Sequence, residues 1–310
     1  MTGPQLGDTG GKGALLMEEV VGVILAAGWG TRLLPATKSV PKEMLPLVDR
    51  PLIHYTLEEL VDSGISHTVV VTARGKEAIQ SYFDSLPELE QLLEERGNSD
   101  LLASVHAIVA ACDLTYVRQD QQLGIAHAVN AARRAIGQHA FVLCFPDDVI
   151  VAATPVAAQL LAVHRRFGAS VLAVERVPSH QISRYGVVRV EPVADRLYRV
   201  TGLVEKPRPE DAPSDLGIVG RYVLTPGIFG AIDGLEPGAN GELQITDAIH
   251  RLLASEPVYA WAFEGERFDT GNPLGYLRSA VALALKRPSL AAEARIMLTE
   301  LLQAEPSPLV

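Results

Sequence analysis

Short apolar runs rich in β-branched residues alternate with amphipathic segments through the first half of the chain. This alternation is typical of βαβ units, in which a helix follows each strand and the strands form a mostly parallel sheet. Strands are predicted at residues 22–28, 67–73, 114–119, 140–145 and 170–177. Helices are predicted at residues 56–62, 127–136 and 156–167, and a two-helix insertion at residues 87–111.

The pattern changes in the second half of the chain. Strand-like segments follow one another at residues 185–190, 198–206 and 217–224, which predicts antiparallel pairs that extend the sheet. Further helices are predicted at residues 244–254, 273–286 and 291–303. The predicted fold class is therefore α/β: a doubly wound, Rossmann-like sheet, mixed but mostly parallel, with helices on both faces. We expect residues 1–17 to be a flexible lead-in, 18–288 a single domain, and 289–310 a C-terminal helix and tail.

Composition and charge exclude several classes of protein. A chain of 310 residues, 48% hydrophobic and 21% charged, can bury a full core without disulfides or structural metals. The net charge of −10 argues against a nucleic-acid binder or a membrane-surface binder. No uncharged apolar run reaches the roughly 18–20 residues that a membrane helix needs. Cys112 and Cys144 have no metal-ligand spacing, which favours a reduced, cytoplasmic location.

One loop is rich in glycine and proline. Residues 22–53 leave a strand, make a glycine turn and then contain four prolines, which excludes an α-helix through the loop. Gly28 and Gly30 allow backbone N–H groups to approach an anion closely. Leu33 occupies the position of the third glycine of a dinucleotide-binding loop, and the Gly-Lys-Ser/Thr of a P-loop is missing. The glycine turn is therefore weak evidence on its own.

The same loop is locally basic. Its cations exceed its anions by two, whereas the rest of the chain carries −12. The charged residues are Arg32, Lys38, Lys42 and Arg50 against Glu43 and Asp49. On charge alone, a solvated surface loop and a phosphate-binding loop are evenly matched interpretations. The glycine turn favours phosphate binding.

Several separated motifs, in one order, resemble those of the sugar nucleotidyltransferases. Residues 26–53, AAGWGTRLLPATKSVPKEMLPLVDRPLI, are similar to the signature loop of that family, and the PATKSVPKEMLP part closely resembles its bacterial glucose-1-phosphate uridylyltransferases. Further matches are VRQ, GIAHAV, FPDDVI, YGVV, VEKP, IVGRYVL, GELQITDA and FDTGNPLGY. The resemblance covers residues 20–285 and implies the nucleotide-diphospho-sugar transferase type of fold, with 18–288 as the catalytic domain.

The resemblance also implies a reaction. A sugar 1-phosphate attacks the α-phosphorus of a nucleoside triphosphate, and pyrophosphate leaves. This nucleophile needs no general base, because the second pKa of a phosphate monoester is about 6. Catalysis then consists of positioning and of charge neutralisation at the reacting phosphorus. The resemblance places Arg32 and Lys42 against the triphosphate as the catalytic residues.

Asp147 and Asp269 are the predicted ligands of Mg²⁺, the cofactor that the resemblance implies. Both follow strand candidates, and open α/β sheets bind ligands at the carboxyl ends of their strands. Two carboxylates completed by phosphate oxygens and water suit Mg²⁺. The alternatives are a turn at Pro146 and Asp148, and helix capping around Asn272. For Asp148 we favour the structural explanation.

The sugar side of the site is predicted at the end of a strand. Neighbouring strand residues point to opposite faces, so Glu205 and Lys206 are not expected to form simply a salt bridge with each other. By resemblance, Glu205 accepts hydrogen bonds from sugar hydroxyls, Lys206 contacts the sugar phosphate and Gly186 lies against the sugar. An exposed, charged strand end is the alternative. Sugar contact and helix capping explain Thr246 and Asp247 equally well.

The nucleotide side is predicted only by resemblance. The nucleotide-binding residues are Ala27, Gly28, Gly30, Gln119 and Gly124. A glutamine amide both donates and accepts, which matches the edge of uracil. Leu123 and Ala126 stand where the uridylyltransferases often have lysine and glycine, and Thr270 replaces a frequent cysteine, as in the thymidylyltransferase branch. His127 is assigned no role.

The resemblance thus implies an Mg²⁺-dependent enzyme that makes UDP-glucose and pyrophosphate from UTP and glucose 1-phosphate. Its partners are these two small molecules, with no nucleic acid and no membrane, and the family implies a homo-oligomer, either a dimer or a tetramer. A thymidylyltransferase that uses dTTP is one alternative. A catalytically silent regulator that binds sugar nucleotides is another, although a chain that keeps both cations and both carboxylates argues against it. The chain lacks the complete glycine fingerprint of a nicotinamide dehydrogenase, which argues against that class of enzyme.

Overall fold

The computed structural model describes residues 19–98, 103, 107–238 and 241–303. The predicted lead-in at 1–17, residues 304–310 of the predicted tail and part of the predicted insertion at 87–111 lie outside the described residues. The strands are β1 Val21–Leu25, β2 Pro46–Leu47, β3 Arg50–Pro51, β4 His67–Thr72, β5 Asp113–Arg118, β6 Phe141–Cys144, β7 Asp148–Val151, β8 Ser170–Arg176, β9 Gly186–Ala194, β10 Leu197–Glu205, β11 Leu216–Leu224, β12 Val258–Ala262 and β13 Glu266–Asp269.

Within the described residues, nine of these strands form one mixed sheet in the order β5-β4-β1-β6-β11-β8-β12-β10-β9. Parallel pairing joins β5, β4, β1 and β6, and separately β8 and β12. β11 is antiparallel to β6 and β8, and β10 is antiparallel to β12 and β9. Seven of the nine strands therefore run in one direction, while four pairings of this described sheet are parallel and five are antiparallel. The sheet is mixed, as predicted.

The position of β11 differs from the prediction. The antiparallel strands were expected to extend the sheet, whereas β11 lies in its middle, between two strands that precede it in the chain. Every residue of β11 is buried. A strand that is apolar on both faces is stable only where both faces are covered, and the middle of this sheet provides that cover.

Helices cover both faces of the sheet. The helices whose bounds the structure gives are α1 Leu52–Asp62, α2 Glu77–Phe83, α3 Pro87–Glu95, α4 Ile125–Ala131, α5 Arg133–Ile136, α6 Val156–Phe167, α7 Gly227–Ile232, α8 Ile245–Leu252, α9 Pro273–Lys286 and α10 Ala291–Gln303. Alternate residues of β1 face two separate apolar clusters, since strand side chains alternate between faces. Val21 and Val23 pack with α4, α5, α7 and α8. Ile24 packs with α1, α2 and α6 on the opposite face.

The glycine- and proline-rich loop contains three single-turn 3₁₀ helices, Thr31–Leu33, Ala36–Lys38 and Lys42–Met44, followed by the β2–β3 ribbon. The α-helix excluded by its prolines is indeed absent from this described segment up to Pro51. α1 starts at Leu52, earlier than the predicted residue 56, because Pro51 immediately precedes it in an extended conformation. The predicted helix at 127–136 starts at Ile125 and divides at Ala132 into α4 and α5.

Cys112 and Cys144 are buried free thiols. Burial raises the pKa of Cys144 to about 12, which keeps this thiol protonated and unreactive at neutral pH. Among the described helices, none combines the length and the apolar character that crossing a bilayer requires.

Candidate active site

A cleft of about 950 Å³ opens beyond the carboxyl ends of β1, β5 and β6. This is the edge at which open α/β sheets bind their ligands. All twelve predicted site residues line it: Ala27, Gly28, Gly30, Arg32, Lys42, Gln119, Gly124, Asp147, Gly186, Glu205, Lys206 and Asp269. The structure therefore brings the predicted residues to one place, and their individual roles stay predictions.

The turn after β1 depends on Gly30 more than on Gly28. Gly30 has φ of 66°, a left-handed conformation that favours glycine, and its carbonyl oxygen accepts a hydrogen bond of 2.8 Å from the Thr37 hydroxyl. A Cβ on Gly30 would lie 3.2 Å from Cβ of Lys42. Gly28 has open space around it. Gly30 thus allows the loop to fold back until Lys42 reaches the cleft.

Lys42 and Asp147 form an ion pair inside the cleft, with 2.7 Å between Nζ and Oδ2. Each side chain is 18% exposed. Burial alone lowers the pKa of Lys42 and raises that of Asp147, but the attraction between the two charges outweighs it: the Lys42 pKa is raised and the Asp147 pKa is lowered. Both groups therefore remain charged at neutral pH.

Gly271 marks the point where three charged side chains converge. A Cβ built on Gly271 would lie 3.1 Å from Oδ1 of Asp269, 3.4 Å from Oδ2 of Asp147 and 3.6 Å from Arg32. The Gly271 N–H donates to Oδ1 of Asp269 over 2.9 Å. Thr270 donates from both its N–H and its hydroxyl to the Asp147 carbonyl, each over 2.9 Å. This segment therefore links the backbone of Asp147 to the carboxylate of Asp269.

The donor set fits Mg²⁺. Within the described ranges, no cluster of three or more histidine, cysteine, aspartate or glutamate side chains is arranged to hold a metal. Asp147 and Asp269 together present two carboxylates towards the cleft. Mg²⁺ keeps several water ligands and is commonly held by one or two carboxylates plus phosphate oxygens, which is what this pair offers.

Both carboxylate oxygens of Asp148 accept hydrogen bonds from other parts of the protein. Its Oδ1 accepts from Nε of Arg267 over 2.9 Å, and its Oδ2 accepts from the Gly220 N–H over 2.9 Å. Arg267 also pairs with Glu175 over 2.6 Å. The β7–β13 ribbon places Asp148 opposite Asp269, which brings the two chain segments of the candidate metal site side by side. These contacts agree with the structural explanation favoured for Asp148.

A buried ion pair supports the turn that carries Asp147. Arg221 is 1% exposed, and its guanidinium donates twice to Oε2 of Glu59, over 3.0 and 2.8 Å. It also donates to the carbonyl oxygens of Phe145 and Asp148, over 3.1 and 2.8 Å. These two carbonyls flank Asp147 along the chain. Arg221 was not predicted, although an arginine inside the apolar run GIVGRYVL is a signal that could have found it.

On the sugar side, one prediction was wrong. Lys206 Nζ lies 3.1 Å from Oε1 of Glu205, so the neighbours do form a salt bridge. β10 ends at Glu205, and Lys206 has φ of 46°, so the alternation of strand side chains no longer applies there. Thr246, at the start of α8, donates from its hydroxyl to the other carboxylate oxygen of Glu205 over 2.9 Å. Glu205 is thus held from both sides.

Gly186 lies against these groups. A Cβ at this position would meet Cγ2 of Thr246 at 2.6 Å and Oε2 of Glu205 at 3.2 Å. We expect Gly186→Ala to displace both side chains and to raise the KM for the sugar phosphate that the resemblance implies about 10-fold, because overpacking costs about 1–3 kcal/mol. Steady-state kinetics measures this. Gly202→Ala is the matched control, since its Cβ would meet only Cβ of Arg189, at 3.7 Å, and an equal rise there would contradict the prediction.

On the nucleotide side, Gln119 is 4% exposed and its amide nitrogen lies 2.9 Å from Nδ1 of His127. Gly124 has φ of 103°, and a Cβ there would meet backbone atoms of Leu243 at 2.6 Å. Only glycine fits between these two segments. Gln122, which was not predicted, donates to the Ala27 carbonyl over 2.9 Å and so joins the two loops predicted to hold the nucleotide.

Two further residues of the cleft were not predicted. Arg184 donates to Oδ2 of Asp269 over 3.1 Å from the 3₁₀ helix Ser179–Arg184. Trp29, between the two glycines of the first turn, is 71% exposed at the cleft. An exposed tryptophan in a glycine turn is a signal that the sequence offered, whereas the Arg184 contact spans 85 residues and left no local pattern.

The family model described as Nucleotidyl transferase matches residues 21–285. The chain belongs to this family. Among curated nucleotidyl transferases, the UTP–glucose-1-phosphate uridylyltransferase of Staphylococcus haemolyticus is 44% identical over 268 residues, which cover 86% of this chain and 93% of that relative.

Two solved nucleotidyl transferase structures agree with the fold described above. The UTP-bound UGPase from Acinetobacter baumannii has a TM-score of 0.85 at 37% identity and covers 91% of this chain and 99% of its own. A UDP-glucose pyrophosphorylase complexed with UDP-glucose has a TM-score of 0.80 at 37% identity, with coverage of 86% and 99%. The likeness therefore extends over nearly the whole length of both neighbours.

Proposed function

We propose that this nucleotidyl transferase joins UTP to glucose 1-phosphate and releases UDP-glucose and pyrophosphate. One observation carries the proposal: Arg32 and Lys42 converge with two carboxylates in a single cleft of a chain whose net charge is −10. A polyphosphate needs such a local cationic site. The names of the uridylyltransferase relative and of the two pyrophosphorylase structures support the choice of substrates.

The chemistry follows from charge and position. The glucose 1-phosphate dianion attacks the α-phosphorus of UTP, its new O–P bond forms as the bond to the leaving pyrophosphate breaks, and no proton has to be removed. Lys42 and Arg32 neutralise the charge that develops on the phosphoryl oxygens. Glu205, fixed by Thr246 and Lys206, accepts hydrogen bonds from the sugar hydroxyls. Because no base is required, the reaction does not need a nucleophile–histidine pair, and the described residues that line the cleft include no histidine.

The nucleotide is proposed to lie along the two loops that Gln122 joins, Ala27 to Gly30 and Gln119 to Gly124. The Gln119 amide can donate to and accept from the uracil edge. We also infer that the sheet is of the doubly wound, Rossmann-like type. Helices on both of its faces and a ligand cleft at the carboxyl ends of its strands support this inference.

Asp147 and Asp269 are proposed to hold the Mg²⁺, which when bound would neutralise phosphate charge. We expect Asp147→Asn to raise the Mg²⁺ concentration for half-maximal activity about 10-fold or more, because a carboxylate ligand is lost. Titration of Mn²⁺ binding in the presence of UTP, followed by electron paramagnetic resonance, measures the site independently of turnover. Asp120→Asn is the control, since Asp120 is 84% exposed. An unaltered metal titration would contradict the ligand assignment.

One assay tests the whole proposal: pyrophosphate release from a matrix of nucleoside triphosphates and sugar 1-phosphates. We expect the highest kcat/KM for UTP with glucose 1-phosphate. A preference for dTTP would instead identify a thymidylyltransferase. Binding of sugar nucleotides with no pyrophosphate release from any pair would identify the silent regulator and refute the proposed function.

We further propose that the chain acts in the cytoplasm, on small molecules rather than nucleic acid or membranes, as a homo-oligomer, either a dimer or a tetramer. Buried, reduced thiols are consistent with that compartment. Light scattering coupled to size-exclusion chromatography measures the mass of the assembly, and a monomer would refute the oligomer.

A further inference from the structure

A second ion pair lies directly behind Lys42. Lys76, at the start of α2, donates from Nζ to Oε2 of Glu43 over 2.8 Å. The Lys76 side chain is 9% exposed and the Glu43 side chain is 0% exposed. Glu43 follows Lys42 in the same 3₁₀ turn. The pair therefore anchors the turn that presents Lys42 to the cleft.

The charges in this region alternate in sign. Lys76 pairs with Glu43, and Lys42 pairs with Asp147 over 2.7 Å. Glu43 is adjacent to Lys42 in the same 3₁₀ turn, and its carboxylate has the charge that attracts an ammonium group. Two carboxylates thus compete for one ammonium group. Lys76 pairs with the Glu43 carboxylate and so favours the pairing of Lys42 with Asp147.

Glu43 is poised to accept another donor. Within the described part of the chain, its Oε1 is buried without a hydrogen-bond partner, while Oε2 is engaged by Lys76. An unpaired buried carboxylate is costly, and burial already raises the pKa of Glu43 despite the nearby Lys76, so loss of Lys76 would leave Glu43 in need of a proton or another cation. Lys42, the adjacent residue, is the nearest replacement in the chain.

We propose that Lys76 is a positioning residue that keeps the Glu43 carboxylate from capturing Lys42. Without Lys76, the Lys42 ammonium turns back towards Glu43 and away from Asp147 and the reacting phosphate. The inference rests on the proposed function, in which Lys42 neutralises phosphoryl charge. It assigns to Lys76 a role at a distance, through Glu43, and no contact with either substrate.

The test is a double-mutant cycle on pyrophosphate release from UTP and glucose 1-phosphate. We expect Lys76→Met to lower kcat about 10-fold, with the KM of both substrates changed less than about 2-fold, because the misplaced ammonium weakens charge neutralisation at the reacting phosphorus. Lys76→Met combined with Glu43→Gln should recover most of the lost kcat, because no carboxylate remains to capture Lys42. Lys76→Arg should keep the wild-type rate.

Lys286→Met is the matched control. Lys286 pairs with Glu266 over the same 2.8 Å, but these side chains are 47% and 55% exposed, so we expect no change in kcat. A double variant as slow as Lys76→Met alone would overturn the inference, because it would reveal a merely structural role. So would a full rate in Lys76→Met. If Lys76→Met alone does not fold, the double variant is compared with Glu43→Gln instead. A kcat that is 10-fold lower in the double variant than in Glu43→Gln would also overturn the inference.

The proposed function and the proposed role of Lys76 are refuted by different results. If the wild-type chain releases no pyrophosphate from any substrate pair, the proposed function is refuted. If the wild-type chain turns over and the double variant is not rescued, the proposed function stands and the role of Lys76 alone is refuted.

Discussion

Replacement of Lys42 by methionine is expected to lower kcat about 100-fold or more while UTP still binds. The reason is that the ammonium is held in place by Asp147 before substrate arrives, so its interaction with the developing charge requires no rearrangement. Removal of one such preorganised donor typically costs about 100- to 1000-fold in rate. Stopped-flow or steady-state pyrophosphate assays measure kcat, and calorimetric titration measures UTP binding.

Lys38→Met is the control for this experiment, because Lys38 belongs to the same basic loop and is exposed. We expect it to retain the wild-type kcat. A Lys42→Met variant with unchanged rate would remove Lys42 from the catalytic machinery. Equal losses in both variants would show that only the overall charge of the loop matters.

Replacement of Arg221 by methionine is expected to destabilise the fold by about 3–5 kcal/mol, the usual cost of removing one partner from a buried ion pair. The change leaves Glu59 buried without its cation and removes the donor to the Phe145 and Asp148 carbonyls. Burial lowers the pKa of Arg221, but the nearby Glu59 carboxylate opposes this effect and the net pKa is raised, so the guanidinium stays charged. Urea denaturation measures the loss.

Arg50→Met provides the comparison. Arg50 pairs with Glu58, the residue beside Glu59 on α1, but these side chains are 36% and 41% exposed. We expect a loss below about 1 kcal/mol there. Arg221→Met combined with Glu59→Leu should recover part of the stability, since no buried charge is left unpaired. A small loss in Arg221→Met alone would mean that water reaches Glu59 in the variant.

The sequence pattern alone predicted only part of the cleft. Asp147 was assigned to it because it follows an apolar strand, and open α/β sheets bind ligands at the carboxyl ends of their strands. Ala27 and Gln119 were predicted by resemblance alone. The structure shows that both also follow strands of the same sheet, β1 and β5, so their meeting with Asp147 in one cleft follows from the topology.

The residues that sequence reasoning missed act through partners distant in the chain. Arg221 binds Glu59 across 162 positions, Arg184 binds Asp269 across 85, and Lys76 binds Glu43 across 33. No periodicity encodes such pairs. A charged residue in an apolar run signals that a partner exists, but only the fold identifies it.

Two other differences have different causes, one local and one long-range. The alternation rule separated Glu205 from Lys206, but the strand ends between them and the backbone turns to positive φ. The position of β11 depends on long-range pairing: its apolar run predicts burial on both faces, yet the same run suits either the middle of the sheet or a covered edge.

The central position of β11 has a consequence for how the chain is made. When a ribosome has synthesised residues up to Arg176, β6 and β8 exist, but the strand that joins them does not. The hydrogen-bonding edge of β6 that β11 will occupy therefore stays open until Leu224 has been added. Unpaired strand edges favour aggregation, so between these two points of translation the open edge of β6 is available for pairing with another chain.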